Sequence, residues 1–283
     1  MLLFSSCIMT GCLEQSEQFT KIVHMPVTAL SPGSGFTTST HNGLIEVRGS
    51  NVADCNVIAT IVGRAATIED AKEVVEETEL GFEKSVEGLA FQIKTPQNLI
   101  GRSVSVSLDI VVPDNIDLEL ETHNGEINIE NISGNTLAKT HNGKVNVKNI
   151  SGVTRLETYN GRIESEEISG DFDFKSHNGQ IESQEISGNI KFQTYNGSVK
   201  ALFSGNARAD CDIEMTTHNG SIELTTPPNY SARVNISTHN GSIDTNLPVT
   251  VSGRLSRNKL TGTVGAGLGM LNIETYNGSI NIR

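Results

Sequence analysis

Nine copies of the triplet His/Tyr-Asn-Gly punctuate the chain. They lie at Asn42-Gly43, Asn124-Gly125, Asn142-Gly143, Asn160-Gly161, Asn178-Gly179, Asn196-Gly197, Asn219-Gly220, Asn240-Gly241 and Asn277-Gly278. The five from Asn124 to Asn196 recur every 18 residues, and the later intervals stretch to 23, 21 and 37. A second marker, Ile-Ser-Gly, keeps the same period at Ile132, Ile150, Ile168 and Ile186. Self-similarity near 20 residues marks a solenoid, in which each unit buries its apolar face against its neighbours.

Between markers the pattern has period two. The second, fourth and sixth residues after each Ser-Gly form the columns Thr136/Thr154/Phe172/Ile190, Ala138/Leu156/Phe174/Phe192 and Thr140/Thr158/Ser176/Thr194. After Asn-Gly the next apolar column is Val145/Ile163/Ile181/Val199. Alternation over four to six residues between Gly-containing turns means short strands with one buried face. An in-register stack would align Arg155, Asp173 and Lys191, and beside them Lys139, Glu157, Lys175 and Gln193, with alternating sign that favours this pairing. Two different turn markers per period suit a coil better than a run of hairpins, although Asn-Gly is also a strong hairpin signal. The Asn-Gly corner reads as a place where Gly takes positive φ and Asn tolerates it, with Asn side chains able to ladder along the stack. The expected fold is therefore all-β, a single-stranded parallel β-helix with 18-residue coils, and right-handed by the general preference of parallel crossovers.

Residues 37–120 are less regular than 121–283. They carry strand-like Val57–Val62, Leu89–Ile93 and Val104–Val112, and one helix over about Ile68–Leu80, with Ile68, Ala71, Val75 and Leu80 near one face. The helix reads as a cap or insert within one solenoid domain spanning 37–283.

The chain opens MLLFSSCIMTGC, apolar and uncharged to residue 11. That is the back half of a secretory signal and too short to span a bilayer. Met9-Thr10-Gly11-Cys12 resembles the bacterial lipobox, although Met9 stands where Leu is usual and a charged leader is missing. Residues 1–11 are thus expected to be a signal peptide, Cys12 the lipidated residue, and 12–36 a flexible tether. Cys55 and Cys211 stand in similar Ala-Asp-Cys contexts; an oxidising compartment permits a disulfide between them, and two unpaired buried thiols are the commoner outcome. A net charge of -12 argues against nucleic-acid phosphates as a partner.

Six of the seven His residues, His41, His123, His141, His177, His218 and His239, occupy the position before the corner Asn, and Tyr159, Tyr195 and Tyr276 fill it elsewhere. A structural ring ladder is the first reading of this column, a pH-responsive edge the second and a metal row the third. Glu164 and Glu182 share a column at a spacing that would suit a retaining glycosidase. Any solenoid with charged faces produces such a pair, and no Trp accompanies it. Gly265-Ala266-Gly267-Leu268-Gly269-Met270 lacks the last Gly of a dinucleotide loop and reads as a turn-rich insertion, near a small basic patch of Arg254, Arg257 and Lys259. Neither a cofactor nor a metal is expected.

The T-x-N-G-x-I/V repeats, the Val111-Val112-Pro113 run entering Leu118–Thr122, and the Gly-rich 262–269 stretch before Leu271–Ile280 resemble one family. It is the bacterial β-strand-repeat "putative adhesin" domain of unknown function, related to the head-GIN domains. The resemblance covers roughly residues 37–283. It implies a β-solenoid on an envelope-associated protein, with some relatives tied to envelope stress, and it carries no catalytic residues. The expected protein is a non-enzymatic, lipid-anchored cell-envelope protein that meets proteins, glycans or its own copies through an extended face. The alternatives are a polysaccharide-cleaving β-helix enzyme and an envelope-stress or pH sensor.

Overall fold

The computed structural model describes residues 17–27, 30, 33–86, 88–251 and 256–283. The expected signal, the expected lipidation site Cys12 and Arg254 lie outside the described residues.

The molecule is an all-β solenoid of nine rungs, each named here by its corner Asn. A rung is two strands joined at Asn-Gly: Thr136–Asn142 followed by the start of Val145–Thr158, for example. Two long strands, Val145–Thr158 and Ile163–Asn178, pass through the second corner at Ile-Ser-Gly without interruption. The strands before the corner pair in parallel from rung to rung, and so do the strands after it. Register follows the repeat: Ile150 faces Ile168, and Arg155, Asp173 and Lys191 align, as do Lys139, Glu157, Lys175 and Gln193. Parallel pairing excludes the hairpin alternative.

The core is a set of columns. Ile45, Ile127, Val145, Ile163, Ile181, Val199, Ile222 and Ile280 run along one wall, and Phe174 stacks on Phe192 along the other, centroids 4.7 Å apart. Each column is continuous because identical strand positions repeat about 4.8 Å apart. Burying an Ile is worth roughly 1.5–3 kcal/mol, so the thin core holds through length rather than depth.

The spatial order of rungs is Asn42, Asn124, Asn142, Asn160, Asn178, Asn196, Asn219, Asn277, Asn240. The last two are exchanged relative to the chain. Strand Gly269–Asn277 pairs with Ile213–Asn219 on one side and Ala232–Asn240 on the other, and Ile280–Ile282 likewise lies between Ile222–Thr225 and Ile243–Thr245. The C-terminal segment therefore fills the penultimate rung.

Antiparallel strands close both ends. At the first rung, Gly88–Lys94 and Ser103–Pro113 add in parallel to Gly35–Asn42 and Ile45–Ser50. Glu79–Lys84, Cys55–Ala65 and Glu17–Val27 then follow antiparallel. At the last rung, Lys259–Val264 and Thr250–Val251 do the same. A stack of open parallel edges would template further chains, and these caps end it.

Two expectations are corrected here. The tether is not flexible throughout: Glu17–Val27 is an 11-residue strand paired along its length with Cys55–Ala65, and Phe36 is fully buried. Its alternating Phe19, Val23 and Met25 pack on the core, which polar neighbours such as Gln18 and Lys21 obscure. The helix spans Ile68–Glu76 and buries Ala71, Val74 and Val75. Ile68 is 41% exposed, and Leu80 belongs to the following strand. Thr67 caps the helix by accepting from the Asp70 N–H. The helix packs on Glu17–Val27 and Cys55–Ala65, so it belongs to the N-terminal cap. Val57–Val62, Leu89–Ile93 and Val104–Val112 all lie within strands.

Candidate functional site

The repeated corner is built from three ladders. Each corner Asn after Asn42 donates from Nδ2 to Oδ1 of the preceding rung at 2.7–2.8 Å, giving eight bonds that link all nine asparagines in spatial order. Two residues upstream, a buried Thr or Ser hydroxyl donates to the Gly carbonyl of the neighbouring rung, as Thr140 does to Gly125 at 2.9 Å and Thr158 to Gly143 at 3.0 Å. Outside these, the rings stack in unbroken order from His41 through His123, His141, Tyr159, His177, Tyr195, His218 and Tyr276 to His239, with centroids 4.5–5.2 Å apart. Most pairs are within 10° of parallel, and His218 alone turns edge-on to both neighbours.

The corner Gly is required for a different reason than positive φ. Of the nine, only Gly43 has φ in that region. At Gly143, Gly161 and Gly179 an added Cβ would overlap the Gly carbonyl oxygen of the preceding rung. The left-handed residues sit at the second corner instead: Asn131, Asn149, Glu167 and Glu185, each just before Ile-Ser-Gly. Asn149 also donates to Asn131 there, at 2.8 Å.

The ring faces cover one another, so solvent meets ring edges; Tyr159, Tyr195 and Tyr276 are each nearly half exposed. Such an edge cannot offer a flat aromatic platform to a sugar ring. Among the described residues no group of three or more metal-ligating side chains converges. Parallel rings stacked this way hold their nitrogens side by side rather than aimed at one point, which does not suit a single ion.

Two charged faces flank the corner. On the first, a shallow trough of about 450 Å³ runs across rungs Asn160 to Asn277, with Phe172 and Ile190 in its floor and Arg155, Asp173, Lys191 and Glu214 along it. Lys191 pairs with Glu214 at 3.0 Å and Lys175 with Asp173 at 3.3 Å. Val153 and Met270 stand exposed in its wall. On the second face Lys148 pairs with Glu166 and Lys200 with Glu182. Glu164 and Glu182 do occupy adjacent rungs. Burial raises the Glu164 carboxyl, but hydrogen bonds from Lys144 and Arg162 outweigh it and hold the group below the usual carboxylate range. A glycosidase general acid needs the opposite shift.

Cys55 and Cys211 are both buried and free; Cys55 opens the N-terminal cap strand Cys55–Ala65, while Cys211 lies just before the rung strand Ile213–Asn219, so the disulfide permitted by the sequence is not formed. Burial pushes the Cys55 thiol up to about 12. Residues 265–268 form a turn on which Ser231 Oγ accepts from Ala266 N–H, as expected of a turn rather than a phosphate loop.

Sequence reading identified the Asn, ring and charge columns. It missed the hydroxyl-to-carbonyl ladder, although a Thr or Ser stands two residues before every corner Asn, which is the visible signal.

No curated protein matches the chain. Among solved structures it is similar to a "putative cell adhesion protein" from Clostridium sporogenes, at 13% identity over 94% of this chain and 99% of that one, TM-score 0.28. It is also similar to a "putative adhesin" from Bacteroides fragilis, at 11% identity over 93% and 97%, TM-score 0.35. The Toastrack DUF4097 profile matches residues 98–283, from the end of the N-terminal cap through all rungs but the first. The chain belongs to the Toastrack DUF4097 family.

Proposed function

We propose that this protein is a non-enzymatic envelope protein, anchored by a lipid on Cys12, that presents a long charged β-face to an envelope protein or glycan. The observation that supports this most is the registered trough of Arg155, Asp173, Lys191 and Glu214, an extended alternating surface spread over several rungs rather than a closed pocket. Contacts of this kind are polar, distributed and salt-sensitive. The anchor rests on Met9-Thr10-Gly11-Cys12, a few residues before the strand Glu17–Val27 that caps the stack.

The test is capture from crosslinked native envelopes by the wild-type chain and by an Arg155→Glu/Lys191→Glu double variant. The reading expects a specific envelope component that is retained by the first and lost by the second. Equal capture by both, or concentration-dependent self-assembly as the sole association in light scattering, would replace the contact reading with a scaffold. Radiolabelled palmitate should enter the wild-type chain and not Cys12→Ala. New reducing ends from bacterial polysaccharides would favour an enzyme.

A second reading, a pH-responsive edge, draws on the consecutive stack of His41, His123 and His141. Glu121 and Lys139 flank it on the same strands, and Glu157 and Lys175 continue the row. Partner capture and surface charge unchanged between about pH 5.5 and 8 would dismiss it.

A further inference from the structure

Asn-Gly is the dipeptide most open to deamidation, since the following amide nitrogen meets little hindrance in reaching the side-chain carbonyl carbon. Nine such dipeptides in one chain are a chemical liability, and the ladder protects them unequally. In an interior rung the carboxamide is held on both sides; Asn160, for example, donates to Asn142 and accepts from Asn178, both at 2.8 Å. At some corners the Gly N–H is used as well: Gly197 donates to the Asn219 carbonyl at 3.0 Å, Gly220 to Asn277 at 3.0 Å, and Gly278 to Asn240 at 3.2 Å, whereas Gly125, Gly143, Gly161 and Gly179 have no such acceptor among the described residues, so the side-chain ladder and burial carry the difference between sites.

The two ends of the ladder differ. At the first rung Asn42 lacks a partner for Nδ2 among the described residues, yet Gly43 N–H donates to the Asn124 carbonyl at 3.1 Å, and Gly43 lies hard against Val106 of the N-terminal cap. At the last rung no further corner follows Asn240. Its Nδ2 donates to Asn277 at 2.8 Å, while its Oδ1 and the Gly241 N–H have no partner among the described residues. Gly241 is also the one corner glycine that is exposed; the other eight are half-buried.

We infer that Asn240 is a site of spontaneous deamidation and that the stack shields the other eight. The Gly241 nitrogen attacks Cγ of Asn240, gives up its proton to water, and forms a five-membered succinimide as ammonia leaves. Water then opens the ring at either carbonyl, yielding aspartate or isoaspartate, so the net change is one water consumed and one ammonia released. Either product replaces the amide that donated to Asn277 with a carboxylate facing the Asn277 oxygen. The outermost rung gains a negative charge, and the isoaspartyl form also gains a methylene in its backbone. The modification thus marks the age of the chain at its C-terminal cap, independently of the proposed envelope role.

The experiment is peptide mapping by mass spectrometry after incubating the full chain in warm, mildly alkaline buffer, with the same incubation in concentrated urea as reference. Folded protein should deamidate at Asn240 about tenfold or more faster than at Asn142, Asn160 or Asn178, because an interior site must first open locally. In urea the nine rates should converge. Equal rates across the nine in the folded protein, or Asn42 or an interior Asn reacting first, would overturn the assignment. An Asn240→Asp variant, which reproduces one product, should fold and show no conversion at the remaining eight above the wild-type rate. Acceleration at Asn277 in that variant would show that the end rung does not shield its neighbour.

Discussion

Between Asn124 and Asn196 the rungs follow one another in space as the repeats follow in the chain, whereas beyond Asn219 they do not. The central region needs only local instructions: each coil lands on the one just made, and its Asn, Thr and Gly complete bonds its predecessor left open. The C-terminal region needs a distant one. The rung of Asn240 is attached to the rung of Asn219 only through residues 269–283, which insert between the two. Identical corner chemistry thus supports two assembly rules, and the bonds themselves do not reveal which was used.

The largest effect should come from deletions that exploit this contrast. Removing residues 143–160 joins Asn142 to Gly161 and restores the repeat with one rung fewer; the product is expected to fold cooperatively with a modestly lower melting temperature. Removing 269–283 deletes buried Leu271, Ile273, Ile280 and Ile282 and detaches the last rung with its cap. At about 2–5 kcal/mol for each aliphatic side chain, against a typical total of about 5–15 kcal/mol, that chain should aggregate. Circular dichroism and size-exclusion chromatography distinguish the two, and a soluble, cooperative 269–283 deletion would refute the insertion rule.

Next come the glycines. Gly161→Ala places a Cβ into the Gly143 carbonyl and should cost about 3 kcal/mol in urea melts. Gly205→Ala meets nothing within 4 Å and should stay within about 0.5 kcal/mol. Similar values at both positions would mean that stacking at the corner is looser than described.

Smaller again is the ladder. Asn160→Ala loses two side-chain bonds and should cost about 1–1.5 kcal/mol, while Asn240→Ala loses one exposed bond and should cost less than about 0.5 kcal/mol. In the opposite direction, Thr154 is fully buried in the central core and its Oγ1 has no partner among the described residues. Thr154→Val should therefore stabilise by about 1 kcal/mol.

The smallest effect is in pH. The Glu164 carboxyl is held below its ordinary range in the folded state, so its contribution is present above the unfolded carboxylate pKa of about 4.3 and is lost as pH falls through the depressed folded value. Exposure and salt make it small. Wild type and Glu164→Gln should converge in stability at strongly acidic pH and differ by a few tenths of a kcal/mol at neutral pH. A constant difference across that range would remove the linkage.

Much of this architecture is legible in residue order because a parallel stack turns a linear period into spatial columns. The alternation of Arg155, Asp173 and Lys191 specified register, and Thr140, Thr158 and Ser176 already showed which side faced inward. The strand Glu17–Val27 was not legible, since a lone edge strand with polar neighbours carries no period. Nor was the true helix face: Val74 is buried and Ile68 exposed because the helix packs on the cap strands Glu17–Val27 and Cys55–Ala65, which the sequence did not reveal as its partners.

The amino-acid sequence by itself determined the unit: its length, its two corners, its inward and outward columns, and the Asn and ring ladders that any in-register stacking of those units must produce. Only the tertiary structure decided the order of the final rungs, the closing of both ends, and the role of the corner glycines as space rather than as left-handed turns. The reason is physical. Strand alternation and turn chemistry act between residues near one another in the chain, while the choice of neighbour across a sheet rests on backbone bonds that are alike from rung to rung. That choice is settled by which surfaces are still uncovered when the last segment docks.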